Sequence, residues 1–214
     1  MTIKIIFFDF DGTIADTFNT LVGITNQLAV NFGYKPLGEE ELAQIKNLSS
    51  REIIKYSGIS IFKFPLLLAK IKSELREEIY NVKAFPEIES ALLELRNQVG
   101  KIVILSSNSK ENILAFLETN NLQNSFDFIY TEAALFSKSK VINRILKQEN
   151  IKPEESIYIG DETRDIDAAK RSRVKAIAVS WGFNSQQILA EHNPDFLVHK
   201  PKELIDIIKN LQQV

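Results

Sequence analysis

The chain has 214 residues, 44% of them hydrophobic and 25% charged, enough for one large domain or for a core with a smaller insertion. Its 26 basic and 28 acidic residues nearly cancel to a net charge of −2, which gives no support for nucleic acid or an anionic membrane as a partner. Cysteine is absent, so disulfides and thiolate metal sites are excluded, and two histidines, His192 and His199, are too few for a histidine-rich zinc site. No apolar run reaches transmembrane length without charge. The first one is short and passes straight into an acidic turn, so no secretory leader is expected and the cytoplasm is the expected location.

Ile3 to Phe8 is apolar on both alternating faces and rich in β-branched and aromatic residues, as for a central strand of a covered sheet. It breaks abruptly at Asp9-Phe10-Asp11-Gly12-Thr13. The next span, residues 16 to 83, offers helical patterns only: Asp16 to Leu28, Gly38 to Leu48, a start at Ser49 with Glu52 three residues on, and Pro65 to Ile79. It reads as a small helical unit inserted after the first strand. From Glu87 the periods alternate. Helices are expected over Glu87–Val99, Lys110–Glu118, Lys138–Glu149, Glu162–Ser172 and Pro201–Leu211. Strands are expected over Lys101–Leu105, Phe126–Tyr130, Ser156–Ile159, Lys175–Val179 and Phe196–Val198. That alternation predicts an α/β fold, a doubly wound, Rossmann-like parallel sheet with helices on both faces. The expected division is an α/β core of residues 1–15 and 84–214 and an inserted helical domain of residues 16–83.

Three strands end in polar groups suited to one crevice at the carboxyl edge of the sheet, where open α/β sheets bind ligands. The first ends in Asp9 and Asp11, whose side chains point the same way if the chain stays extended. The second ends in Ser106-Ser107-Asn108, and the fourth in Gly160-Asp161, with Asp165 four residues on at the start of a helix. Like charges so close need a cation or a shared proton, and Mg²⁺ is the natural cation for an all-oxygen site. Lys138 would balance the acids. No Gly-x-Gly-x-x-Gly follows the first strand and no P-loop is present, so a dinucleotide- or ATP-binding module is not expected.

Asp9-Phe10-Asp11-Gly12-Thr13, Ser106, Lys138 and Gly160-Asp161 with Asp165 resemble, in order, the four motifs of the haloacid dehalogenase-like superfamily. The helical insertion and Trp181-Gly182-Phe183 resemble its phosphoglycolate-phosphatase-like branch. The resemblance implies a Mg²⁺-dependent phosphatase. Asp9 would be the nucleophile that forms an aspartyl-phosphate, and Asp11 the acid and base. The metal set would be Asp9, Asp11 through its backbone carbonyl, and Asp161, with Asp165 as a ligand or as the group that orients one. Gly12, Ser106, Ser107, Asn108 and Lys138 would hold the phosphate. Ser106 is preferred to Ser107, and Lys138 to Lys140, in a Ser137-Lys138-Ser139-Lys140 run that lacks the branch's Lys-Pro pair. Phe85-Pro86-Glu87 likewise departs from the usual Pro-Gly at the return from the cap.

Asp11 argues against a dehalogenase. Leu21 stands where related phosphoglucomutases carry a histidine, and the first cap helix has no lysine for phosphonatase chemistry. Arg51 resembles a cap arginine that reaches the substrate in related enzymes, with Lys46 and Asn47 as further specificity candidates; Lys63, Lys70 and Lys72 read as a solvated face. The expected substrate is a small phosphorylated metabolite, phosphoglycolate first. Pyrophosphate, a sugar phosphate or a nucleotide stays open, as does a non-catalytic binding protein on the same fold. A monomer or homodimer is expected.

Overall fold

The computed structural model describes residues 2–60, 62–131 and 137–213. Six parallel strands form one sheet in the order β3-β2-β1-β4-β5-β6: β1 (Ile5–Phe8), β2 (Lys101–Ser106), β3 (Phe128–Thr131), β4 (Ser156–Gly160), β5 (Lys175–Val179) and β6 (Phe196–Val198). β1 lies in the middle, paired with β2 on one side and β4 on the other. The winding reverses there, so the crevice for a ligand opens at the carboxyl ends of β1 and β4.

The alternation of β1 explains its burial. Ile6 and Phe8 face a core shared with α5 (Ile88–Arg96), α6 (Lys110–Thr119) and α10 (Pro201–Gln213), through Leu92, Phe116 and Leu204. Ile5 and Phe7 face the opposite core, filled by Ile142 and Ile145 of α7 (Lys138–Glu149) and by Ile166 and Ala169 of α8 (Thr163–Arg171). A strand covered on both faces needs an apolar residue at every position. β3 starts two residues later than expected because Asp127 is used as a brace: its carboxylate accepts from the Ile102 amide and meets Arg96. A six-residue helix, α9 (Gln186–Glu191), was not visible in the period; Ser185 caps it by accepting from the Ile188 amide.

Between β1 and α5 lie four helices: α1 (Phe18–Phe32), α2 (Glu39–Ile45), α3 (Ser50–Tyr56) and α4 (Phe64–Glu78). The chain leaves and re-enters the core side by side, with an Ala15–Ala84 bridge and the Asp16 amide donating to the Lys83 carbonyl. None of the helices among the described residues is long and apolar enough to cross a membrane.

The re-entry is a tight turn in which the Ile88 amide bonds back to Phe85, and Glu87 sits at φ +65. With proline at the preceding position this is a type II turn, whose third residue favours glycine because a Cβ is strained in the left-handed region. Glu87→Gly should therefore raise the unfolding free energy by up to about 1 kcal/mol, the strain relieved less the extra chain entropy of glycine. Urea unfolding of the two proteins measures it.

Candidate active site

The ladder of β1 runs one residue past the strand, with the Asp9 amide donating to Ile159, and so places a carboxylate that is 1% exposed directly above the sheet. The chain then curls, with the amides of Ile14 and Ala15 both on the Phe10 carbonyl. Phe10 drives the opposite way, into the core edge-on to Phe116, with ring centres 5.0 Å apart. Gly12 is at φ +79, and a Cβ there would lie 2.2 Å from the Asp161 carboxylate. Gly182 is held to the same standard at 2.3 Å. Both glycines exist so that the backbone can close around one acid.

Asp161 leaves the end of β4 and accepts from the Thr13 hydroxyl at 2.7 Å and the Phe183 amide at 2.7 Å. Trp181 supports this corner from below, its indole Nε1 donating to the Thr13 carbonyl. Asp165, in the first turn of α8, accepts from the Glu162 amide and from Lys138 Nζ at 2.6 Å. The same ammonium is 2.7 Å from Asp9. Lys138, not the exposed Lys140, is therefore the lysine of the site.

Burial pushes the Asp9 carboxyl up to about 7 against the pull of Lys138. Asp161 is raised well above the carboxylate range by burial and then by Glu162, Asp9 and Asp165. Burial opposes ionisation of Asp165 too, but Lys138 and Arg164 hold it below its usual value. Three buried acids, Asp9, Asp161 and Asp165, offer ligand atoms within 4.8 Å of one another. This crowding and the all-oxygen donor set fit a hard divalent cation such as Mg²⁺, which would relieve the repulsion that drives Asp161 toward protonation.

The Asp11 side chain stands apart from that cluster. Asn108 Nδ2 lies 3.1 Å from each of its carboxylate oxygens. Burial raises Asp11 to about 6, with the nearby Thr17 hydroxyl and the Asn108 amide opposing. Asn108, expected on the phosphate, is instead committed to Asp11, while its carbonyl accepts from the amide of Ser109 and the side chain of Asn112. Ser106 is buried below it and accepts the Asn108 amide at 3.0 Å; Ser107 lines the open cavity.

That cavity, about 470 Å³, lies between the core and the cap and is lined by Asp11 but not by Asp9, Asp161 or Asp165. Its floor includes Asp11, Ser107, Asn108, Glu162 and Arg164, and its walls are the apolar inner sides of α1, α3 and α4. Lys72 of α4 lines it rather than joining the solvated face of Lys63 and Lys70. Of the three cap candidates, Lys46 lines the cavity and the other two do not. Arg51 is exposed and lines a small separate cleft with Lys138, Arg164 and Arg171. Asn47 accepts from the Ser185 hydroxyl, so it docks the cap onto the core. Lys46 does line the cavity, with its ammonium 4.5 Å above the Phe18 ring, and its carbonyl receives the Ser185 amide.

The family model for haloacid dehalogenase-like hydrolases matches residues 6–179, the span from β1 to β5. The chain belongs to that family. A phosphoglycolate phosphatase of Synechococcus elongatus is 36% identical over 208 residues, 97% of this chain and 98% of the relative. A pyrophosphatase of Oceanobacillus iheyensis is 27% identical, again over 97% and 98% of the two chains. The fold matches a solved haloacid dehalogenase-like hydrolase of Streptococcus pneumoniae with a TM-score of 0.79, covering 96% of this chain and 98% of that one at 24% identity.

Sequence reasoning passed over Glu162, Arg164 and Asn184. Ser50 of the cap donates to Glu162 at 2.7 Å, and Arg164 Nη2 meets the other Glu162 oxygen at 2.7 Å. Asn184 is buried and joins three segments: it accepts from the Thr163 amide at the start of α8 and donates to the carbonyls of Lys46 and Leu48 in the cap. Nothing in the local pattern marks such a residue, because its partners are far away in the chain. In Asn184→Ala the cap loses two of its ties to this loop. Amide hydrogen exchange should accelerate more in α2 and α3 than in β1 and β4, and equal acceleration in all four would deny Asn184 the docking role.

Proposed function

We propose that this hydrolase is a divalent-metal-dependent phosphatase that cleaves a small phosphomonoester through an aspartyl-phosphate on Asp9. The observation that carries the reading is the pairing of two acids two residues apart in opposite surroundings. Asp9 is buried against Lys138 and the metal-competent acids, whereas Asp11 is held off that cluster by Asn108.

An Asp9 carboxylate oxygen attacks phosphorus, and the bond to the alcohol oxygen breaks. The departing oxygen takes a proton from Asp11, whose raised carboxyl, near 6, suits a donor at neutral pH. Asp11, now a carboxylate, removes a proton from the water that attacks the aspartyl-phosphate, and inorganic phosphate and free Asp9 result. A cation held by Asp9, Asp161 and Asp165, and by the Asp11 carbonyl as in the family pattern, would neutralise the phosphoryl oxygens. Lys138 offsets charge beside Asp9, and Ser106 and Ser107 lie on the strand end that faces the phosphoryl group. The cap excludes bulk water from the pocket.

Phosphoglycolate is the first substrate to test, supported by the 36% identical relative of that activity. Pyrophosphate is the second, supported by the pyrophosphatase relative. Purified protein should release phosphate from 2-phosphoglycolate with Mg²⁺ and lose that release in excess EDTA, with recovery when Mg²⁺ is restored. Asp9→Asn should lower kcat by at least about 10³-fold on every substrate, since the amide cannot form the covalent intermediate. Turnover by this variant near the wild-type rate would remove Asp9 from the nucleophile role.

A further inference from the structure

Arg164 is the second residue of α8, and its side chain is only 9% exposed. A single nitrogen, Nη2, is used by Glu162; Nε and Nη1 are buried and have no hydrogen-bond partner among the described residues. A buried donor left unfilled is costly, and pairing Glu162 needs only one of the three nitrogens. The residue lines the cavity above the acids together with Asp11, Ser107 and Asn108. Its positive charge is felt at Asp9, Asp11 and Asp165, where it favours the ionised form in each case. Lys72 brings a second cation to the same cavity from the cap, within electrostatic reach of both Asp11 and Arg164.

We propose that Arg164, with Lys72, recognises a second anionic group on the part of the substrate that leaves with the alcohol oxygen, a carboxylate or a second phosphate. The specificity cation is then on the helix that follows the fourth strand, not on the cap helix of Arg51. Glu162 positions it: with one nitrogen pinned, the planar guanidinium is fixed and the other donors are presented to an incoming oxyanion. Because Glu162 also receives Ser50, the arginine is set in place when the cap is seated. The inference rests on the phosphatase reading above.

The test compares kcat and KM for 2-phosphoglycolate, pyrophosphate and 2-hydroxyethyl phosphate, the last a close match to 2-phosphoglycolate without the carboxylate. The wild type should prefer one of the two anionic substrates by at least tenfold in kcat/KM. Arg164→Gln should reduce that preference by roughly 10- to 100-fold, mainly through KM, as expected for loss of a charge-assisted contact. Arg164→Lys should recover part of it, and Lys72→Gln, in a less buried setting, should reduce it by a smaller factor. The larger response, to the carboxylate or to the second phosphate, identifies the anion. A wild type indifferent to the second charge overturns the inference, as does an equal loss on charged and uncharged substrates in both Arg164→Gln and Lys72→Gln. Absence of phosphate release from all three by the wild type would instead overturn the phosphatase reading beneath it.

Discussion

The structure depends on keeping Asp9, Asp161 and Asp165 together in a place with almost no water. Three carboxylates in a low-dielectric pocket repel one another and resist ionisation. Lys138 meets two of them, Arg164 contributes at longer range, and backbone amides and Thr13 occupy further oxygens. The residual imbalance is what a divalent cation would relieve. The parallel sheet is what makes the arrangement possible, since it delivers the ends of β1 and β4 side by side, and two glycines remove the Cβ atoms that would hold the loops apart.

The second consequence of this design is a division of labour between neighbours. Asp9 and Asp11 are separated by one residue, yet one lies among charges and the other is held by an amide. Phe10 makes the separation possible by anchoring the turn in the core between them. Two carboxyl groups of one chemical type can then perform different tasks, which is how environment assigns an acid and a nucleophile.

The strand ends were legible in the sequence because a continuous apolar run breaks at Asp9 after β1 and at Ser106 at the end of β2, and because Gly160-Asp161 marks a turn with an acid beside it. The parallel sheet with helices on both faces followed from the alternation after residue 87; the strand order did not. What stayed hidden needed distance in space. Asn108 could have served a phosphate or a carboxylate, since a primary amide both donates and accepts; only its position 3.1 Å from Asp11 decides between them. Arg164 sits in a run of charges that reads as an ordinary helix start. Lys72 reads as part of a polar face until α4 is laid against the crevice. Arg51 is the reverse case: it looked like a substrate contact, and α3 turns it to the surface. Asp127 is a further example, for its brace across β2 shortened a strand that composition alone would extend.

The cap is tied to the core by the carbonyls of Lys46 and Leu48, the side chain of Asn47 and the hydroxyl of Ser50, and all four reach segments adjoining Asp161. Asn184 itself bonds the first amide of the helix carrying Asp165. The lid and the loop that carries Asp161 are thus joined by a shared fastening. A lid that swings away pulls on the very segment that positions the acids, so access to the pocket and the shape of its charged floor change as one motion.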